Sequence, residues 1–188
     1  MVGQKIYGKN MMLSDQISYD YLIKRFNRKT HRNLIDRTLN HLMAFFEVGN
    51  LNILCSWFCE RDVFLLKKMG YNLENCYFYD FDETVHEKNL QYSDNCMMKD
   101  VIFDDIPMKG VKIHRYCEYT FPIGRIYDGE FILTGCDDDS LHICNPIKSV
   151  DQLIEQNQIK DVYHFESWEC KREFDRKKIN YYMVIGCK

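Results

Sequence analysis

Carboxylates, thiols and aromatic rings gather at four places in this sequence, each at the end of a candidate strand. Cys55-Ser56-Trp57-Phe58-Cys59-Glu60 follows Ile53-Leu54, and Asp80-Phe81-Asp82-Glu83 follows Tyr77-Phe78-Tyr79. Asp100 to Asp105 and Cys117 to Phe121 follow two further candidate strands. A carboxylate that ends a strand can accept both hydroxyls of a ribose. A loop that leads into a helix N-terminus offers unpaired N–H groups to an anion or carboxylate. Glu118 could orient an incoming group or act as a base if burial raises its pKa; a structural hydrogen bond is the competing role. Tyr119 could stack on an exposed ring or belong to the core. Asp137-Asp138-Asp139 could meet a hard cation, but an exposed acidic turn explains the run as well.

Other chemistries find less support. The chain has nine cysteines, an odd count with no Cys-x-x-Cys. Cys55 and Cys59 are four apart, and His142 and Cys144 two apart. Several others lie in or beside apolar runs, so we read them as buried free thiols of a reducing compartment and expect no metal site. His114 falls within the candidate strand Val111 to Tyr116, which favours a buried, hydrogen-bonded ring over a catalytic one. Phosphate-loop and nucleophile-elbow patterns are absent, as are histidine pairs at metal-binding spacing.

The chain as a whole can build a core. Its 188 residues are 46% hydrophobic and 14% aromatic, enough to exclude disorder as the dominant state. A net charge of −3 argues against a generic polyanion binder. The one basic stretch, Lys24 to Arg37, leaves nucleic acid as an open but unfavoured partner. The stretch Val48 to Cys59 is too short to span a bilayer, and the N-terminus carries no apolar signal region, so we expect a cytoplasmic protein without membrane attachment. Oligomeric state is not legible.

The elements that must position these residues follow from periodicity. Ile35, Leu39, Leu42 and Phe46 predict a helix, with Leu34, Met43 and Phe45 widening its stripe; Ser14 to Phe26 predicts an earlier one. These form a helical lead over residues 1–50, followed by an α/β core over 51–188 within one domain. Strands are expected at Asn52 to Cys55, Cys76 to Tyr79, Met97 to Phe103, Val111 to Tyr116, Glu130 to Thr134, Asp161 to Trp168 and Tyr181 to Ile185. Helices are expected at Asp62 to Met69, Glu83 to Leu90 and after the capping box Ser149-Val150-Asp151-Gln152. Alternating strands and helices imply a mainly parallel sheet, and the two closing strands can form a hairpin that turns the last strand antiparallel. In such a sheet ligands bind beyond the carboxyl ends of the strands at the switch point, which is where the four clusters fall.

This order resembles the class I S-adenosylmethionine-dependent methyltransferases over roughly Asn33 to Lys188, and in detail looks most like small methyltransferase-like proteins of tailed phages. The stretches that carry the resemblance are Ile53 to Asp62, Tyr79-Asp80-Phe81-Asp82, Tyr116-Cys117-Glu118-Tyr119 and the closing Tyr182-Met183-Val184-Ile185-Gly186-Cys187-Lys188. The resemblance implies a Rossmann-like α/β fold with a mostly parallel seven-strand sheet. Strands one to three would lie on one side of the switch point, four and five on the other, and the last strand would be antiparallel. It further implies S-adenosylmethionine as cofactor and an unidentified methyl acceptor. Cys55, Ser56, Trp57, Phe58 and Cys59 would then form the cofactor loop, with Asp80 on the ribose and Asp82 beside it. Asp100 would meet the adenine amino group, and Cys117 would lie near the cofactor. Glu118 and Tyr119 would face the acceptor, and a viral protein of this kind would work in the host cytoplasm. One departure opens a second reading. The family's first loop uses glycine, but no glycine stands between Gly49 and Gly70. Trp57 and Phe58 either wall a wider loop or fill the crevice, leaving a non-catalytic binding or structural protein.

Overall fold

A computed structural model describes residues 29–47, 49–54, 56–101, 104, 106–115, 126–136, 150–171 and 178–188. The elements run α1 (Lys29–Phe45), β1 (Leu51–Leu54), α2 (Glu60–Lys68), β2 (Cys76–Asp80), α3 (Glu83–Asn89), β3 (Cys96–Met98), β4 (Val111–Arg115), β5 (Glu130–Cys136), α4 (Val150–Asn157), β6 (Asp161–Lys171) and β7 (Lys178–Cys187). They build one seven-stranded sheet in the order β3-β2-β1-β4-β5-β7-β6. The first five strands are mutually parallel, and β7 runs antiparallel to β5 on one side and β6 on the other. The expected Rossmann-like sheet, with its switch point between β1 and β4 and its antiparallel last strand, is therefore observed.

Side chains alternate across the sheet, so each strand feeds two cores. Ile53, Phe78, Ile113, Ile132 and Ile185 face α1 and α2, whose Ile35, Leu39, Leu42, Val63 and Leu66 complete a buried cluster. Leu54, Phe131, Leu133 and Val184 face the opposite side, where Ile154 of α4 packs. β1 and β4 are buried along their whole length, as strands covered on both faces must be. Gly110 enters β4 at φ +83, and a Cβ there would collide with the carbonyl of Asn50, which accepts the Val111 N–H at 3.0 Å. Glycine is needed there because the chains entering the two switch-point strands meet backbone to backbone.

Three expectations change. Met43 and Phe45 do not widen the buried stripe of α1; they are 50% and 40% exposed, while Leu34, at a similar angle to Phe45, is buried, so the neighbours of the helix and not its own period decide which flank is covered. β3 stops at Met98 instead of reaching Phe103, because the chain turns: Asp104 N–H donates to the Asp100 carbonyl at 2.8 Å and the Asp104 carboxylate accepts the Asp100 N–H at 3.1 Å. β6 and β7 are longer than expected, since each closing strand extends the other's ladder. The predicted helix over Ser14 to Phe26, Ser149 of the capping box and the run Asp137 to Asp139 lie outside the described residues. No helix among the described residues is long and apolar enough to cross a membrane.

A buried ion pair joins the sheet to α2. Arg115, at the end of β4, donates through Nη1 to Asp62 Oδ2 at 2.8 Å and through Nη2 to Oδ1, with both side chains essentially sealed from water. Removing one partner strands the other charge in a dry interior, at a cost of about 3–5 kcal/mol. Urea denaturation of Arg115→Met should show that loss, and adding Asp62→Leu should recover a large part of it. A single-mutant loss below 1 kcal/mol would mean water reaches the pair.

Candidate functional site at the carboxyl edge of the sheet

The loop from β1 to α2 crosses the end of β2, and two side chains hold it there. Ser56 N–H first extends the ladder by donating to the Tyr79 carbonyl at 2.9 Å. Trp57 then turns the chain at φ +50, in the left-handed region that glycine usually occupies. Its N–H donates to Asp80 Oδ2 at 2.9 Å, while Asp80 Oδ1 accepts the Asp82 N–H at 3.1 Å. Asn89, at the end of α3, spans the loop from the other side. Its Oδ1 accepts the Cys59 N–H at 2.9 Å and its Nδ2 donates to the Trp57 carbonyl. α2 has no side-chain cap of its own on Cys59, so Asn89 satisfies a helix-start donor that would otherwise stay open.

The expected cofactor residues fall into distinct environments. Ser56, Phe58 and Cys59 are buried beneath the loop, and Trp57 is half-buried against the α1–α2 core. Asp80 is 6% exposed, and burial, only partly offset by its N–H donors, pushes its carboxyl up to about 6. Asp82 caps α3, its Oδ1 accepting the Val85 N–H at 3.1 Å. Asp100 lies at the same edge as Asp80, since Lys99 N–H donates to the Asp80 carbonyl at 2.8 Å. The Cys96 sulfur beside it, together with burial, pushes the Cys59 thiol up, so Cys59 stays protonated. Cys76 and Cys96 are likewise free and buried, while Cys170 and Cys187 are partly exposed. His114 is buried in β4 and pushed down to about 3 by burial and the nearby Lys112 and Lys188, which keeps it neutral. Cys55, Cys117, Glu118 and Tyr119 lie outside the described residues.

Asn89, Asp62 and Arg115 were not anticipated as site-shaping residues. Asn89 carries no local signal, because its partners stand about thirty residues upstream. Arg115 left a trace: it closes a short strand that alternates apolar Val111 and Ile113 with Lys112 and His114, and a charged residue buried in such a strand must find a counter-ion.

No family model matches this sequence, and no curated protein matches it. Solved structures do match. The N-methyltransferase NodS from Bradyrhizobium japonicum WM9, in complex with S-adenosyl-L-homocysteine, superposes with a TM-score of 0.62 at 10% identity, covering 95% of this chain and 98% of that one. This chain has the class I S-adenosylmethionine-dependent methyltransferase fold. The methyltransferase domain of bacterial CtHen1 gives a TM-score of 0.54 at 9% identity, over 82% of this chain and 98% of that one. The plantazolicin methyltransferase BpumL, in complex with a pentazolic desmethylPZN analog and S-adenosylhomocysteine, gives 0.52 at 11%, over 88% and 89%. At these identities the likeness is one of fold.

Two measurements probe the loop. A residue with a Cβ held left-handed pays about 1–2 kcal/mol that glycine does not. Trp57→Gly should therefore be more stable than Trp57→Ala by about 1 kcal/mol in urea denaturation, the reverse of the usual order; equal stabilities would show an unstrained turn. The Asp80 carboxyl sits near 6 in the fold against an ordinary 3.8, so between those pH values the folded state holds the extra proton and loses stability as pH rises. Relative to Asp80→Asn, the wild type should lose up to about 3 kcal/mol from pH 4 to pH 7. Parallel stability curves for the two proteins would refute this.

Proposed function

We propose that this chain binds S-adenosylmethionine at the carboxyl edge of β1 and β2 and methylates an acceptor. The observation that carries the reading is the Asp80 carboxylate at the end of β2, bonded to the N–H of a left-handed turn after β1. Asp80 spends part of its capacity on the Trp57 and Asp82 N–H groups, but a carboxylate has about four lone-pair sites. Room remains to accept from a ribose hydroxyl, so the residues fit the cofactor. Ser56 and Cys59 supply the small side chains that the turn needs, and Trp57 would wall the methionine end. Asp100 stands at the same edge for the adenine amino group. Bound there, S-adenosylmethionine supplies a methyl group on a sulfonium sulfur, which an acceptor nucleophile takes with loss of its proton. The chain's own contribution is chiefly positioning, with Glu118 and Tyr119 proposed on the acceptor side. The acceptor is unidentified. Arg37, the last residue of the basic stretch, is engaged by Glu166 at 2.9 Å and lies 4.5 Å over Trp168, which weakens the case for nucleic acid. A cytoplasmic site of action and a viral source, suggested by the resemblance to tailed-phage proteins, belong to the same proposal.

The burial of Ser56, Phe58 and Cys59 favours one other reading, in which the crevice is packed and the protein binds or scaffolds without catalysis. Calorimetry separates the two. S-adenosylmethionine and S-adenosylhomocysteine should bind with one equivalent per chain, and Asp80→Ala should weaken both by about 1–3 kcal/mol. No heat at millimolar ligand would reject the methyltransferase reading and leave the packed-crevice one.

A further inference from the structure

The far edge of the sheet carries a second cluster, unrelated to the loop after β1. Along β6 the half-buried face alternates through His164, Glu166, Trp168 and Cys170, and it is turned toward α1. A register shift between Val162 and His164 sets where this face begins. His41 projects from α1 so that its ring stacks on His164, with centroids 5.3 Å apart. One ligand atom each from His41, His164 and Glu166 lies within 4.8 Å of the other two. The cluster lies five strands from β2, about 24 Å across the sheet at about 4.8 Å per strand.

We propose that His41, His164 and Glu166 bind a zinc-class divalent metal ion that ties α1 to the edge strand β6. Four observations carry it. His41 Nδ1 lies 2.8 Å from the carbonyl of Arg37, a contact it can make only as a donor. The lone pair is then on Nε2, and this second bond is the kind that orients metal-binding histidines. His164 Nε2 is buried, has no hydrogen-bond partner among the described residues and sits 3.9 Å from Glu166 Oε2. Glu166 is itself oriented: Arg37 Nη1 holds Oε1 at 2.9 Å and leaves Oε2 on the histidine side. The Arg37 guanidinium is in turn steadied over the Trp168 ring.

Two imidazoles and one carboxylate select late first-row ions over magnesium or calcium, which prefer oxygen. Zinc bonds to such ligands at about 2.0–2.2 Å, which places ligand atoms about 3.4 Å apart in a tetrahedron. Small side-chain rotations close the present spacing to that value. The three side chains are only part-buried, which leaves the fourth position to water. His164 and Glu166 stand two apart on one strand face, whereas His41 comes from an element more than a hundred residues earlier, so the sequence shows no ligand spacing.

The test uses the full chain after chelator treatment. Zinc should bind with one equivalent per chain and raise the thermal midpoint by about 5 °C at a hundredfold excess over Kd. Cobalt(II) should give the visible bands of a tetrahedral nitrogen–oxygen site with no sulfur-to-cobalt charge-transfer band. His41→Gln and Glu166→Gln should each weaken zinc binding at least tenfold while circular dichroism reports an intact fold. His41 and Glu166 are part-exposed, so these variants should fold even if His164→Asn does not. Absence of zinc binding by the wild type, affinity unchanged in both variants, or a charge-transfer band that moves the ion to cysteine would each overturn the proposal.

Discussion

A buried carboxylate that accepts the N–H of a left-handed tryptophan is the contact on which the rest of the candidate site depends. Asp80 ends β2, Trp57 turns the chain after β1, and the 2.9 Å bond between them fixes the loop against the sheet. From that point the position of α2 follows. Asn89 closes the same loop by bonding the Trp57 carbonyl and the Cys59 N–H, so α3 also has a stake in where α2 begins. The arrangement is costly, because burial raises the Asp80 carboxyl to about 6 and Trp57 occupies glycine's conformation. A fold that carries both costs at one edge has concentrated its strain where the topology places ligand sites.

The switch point is secured by a second buried polar contact. Arg115 leaves β4 and pairs with Asp62 in the first turn of α2, so the strand on one side of the crevice and the helix starting on the other share a charge pair. A hydrophobic pair could fill the same space. The ion pair has directionality, and its two parallel bonds hold α2 in one rotation about its axis. Together the Asp80 and Arg115 contacts leave little freedom to the β1–α2 segment.

The opposite edge of the sheet is built differently. β7 inserts between β5 and β6, which leaves β6 as an eleven-residue edge strand. One face of β6 is exposed and carries Tyr163 and Phe165, while the other gathers polar and aromatic side chains against α1. Arg37, His41 and Phe45 stand one helical turn apart on α1, so a single ridge of the helix meets His164, Glu166 and Trp168. Phe45, left out of the core stripe, belongs to this contact.

Local pattern was enough to read the element order, the parallel core, the antiparallel last strand and the position of Asp80, because hydrophobic period and strand-end chemistry are encoded within a few residues. The same local reading extended β3 too far and placed Met43 and Phe45 inside, since neither a side-chain turn at Asp104 nor the azimuth of a helix against its neighbours is a local property. The missing glycine was visible in the sequence, but its consequence was not. That Trp57 itself takes the left-handed turn, and that Asp80 and Asn89 hold it there, required strands and helices 23 to 32 residues apart to be brought together. The His41–His164–Glu166 cluster and the Arg115–Asp62 pair are of the same kind. Each is assembled by long-range packing, which decides which polar groups become neighbours; around Arg115 and Asp62 it does so in a dry interior where an unmatched charge is not tolerated.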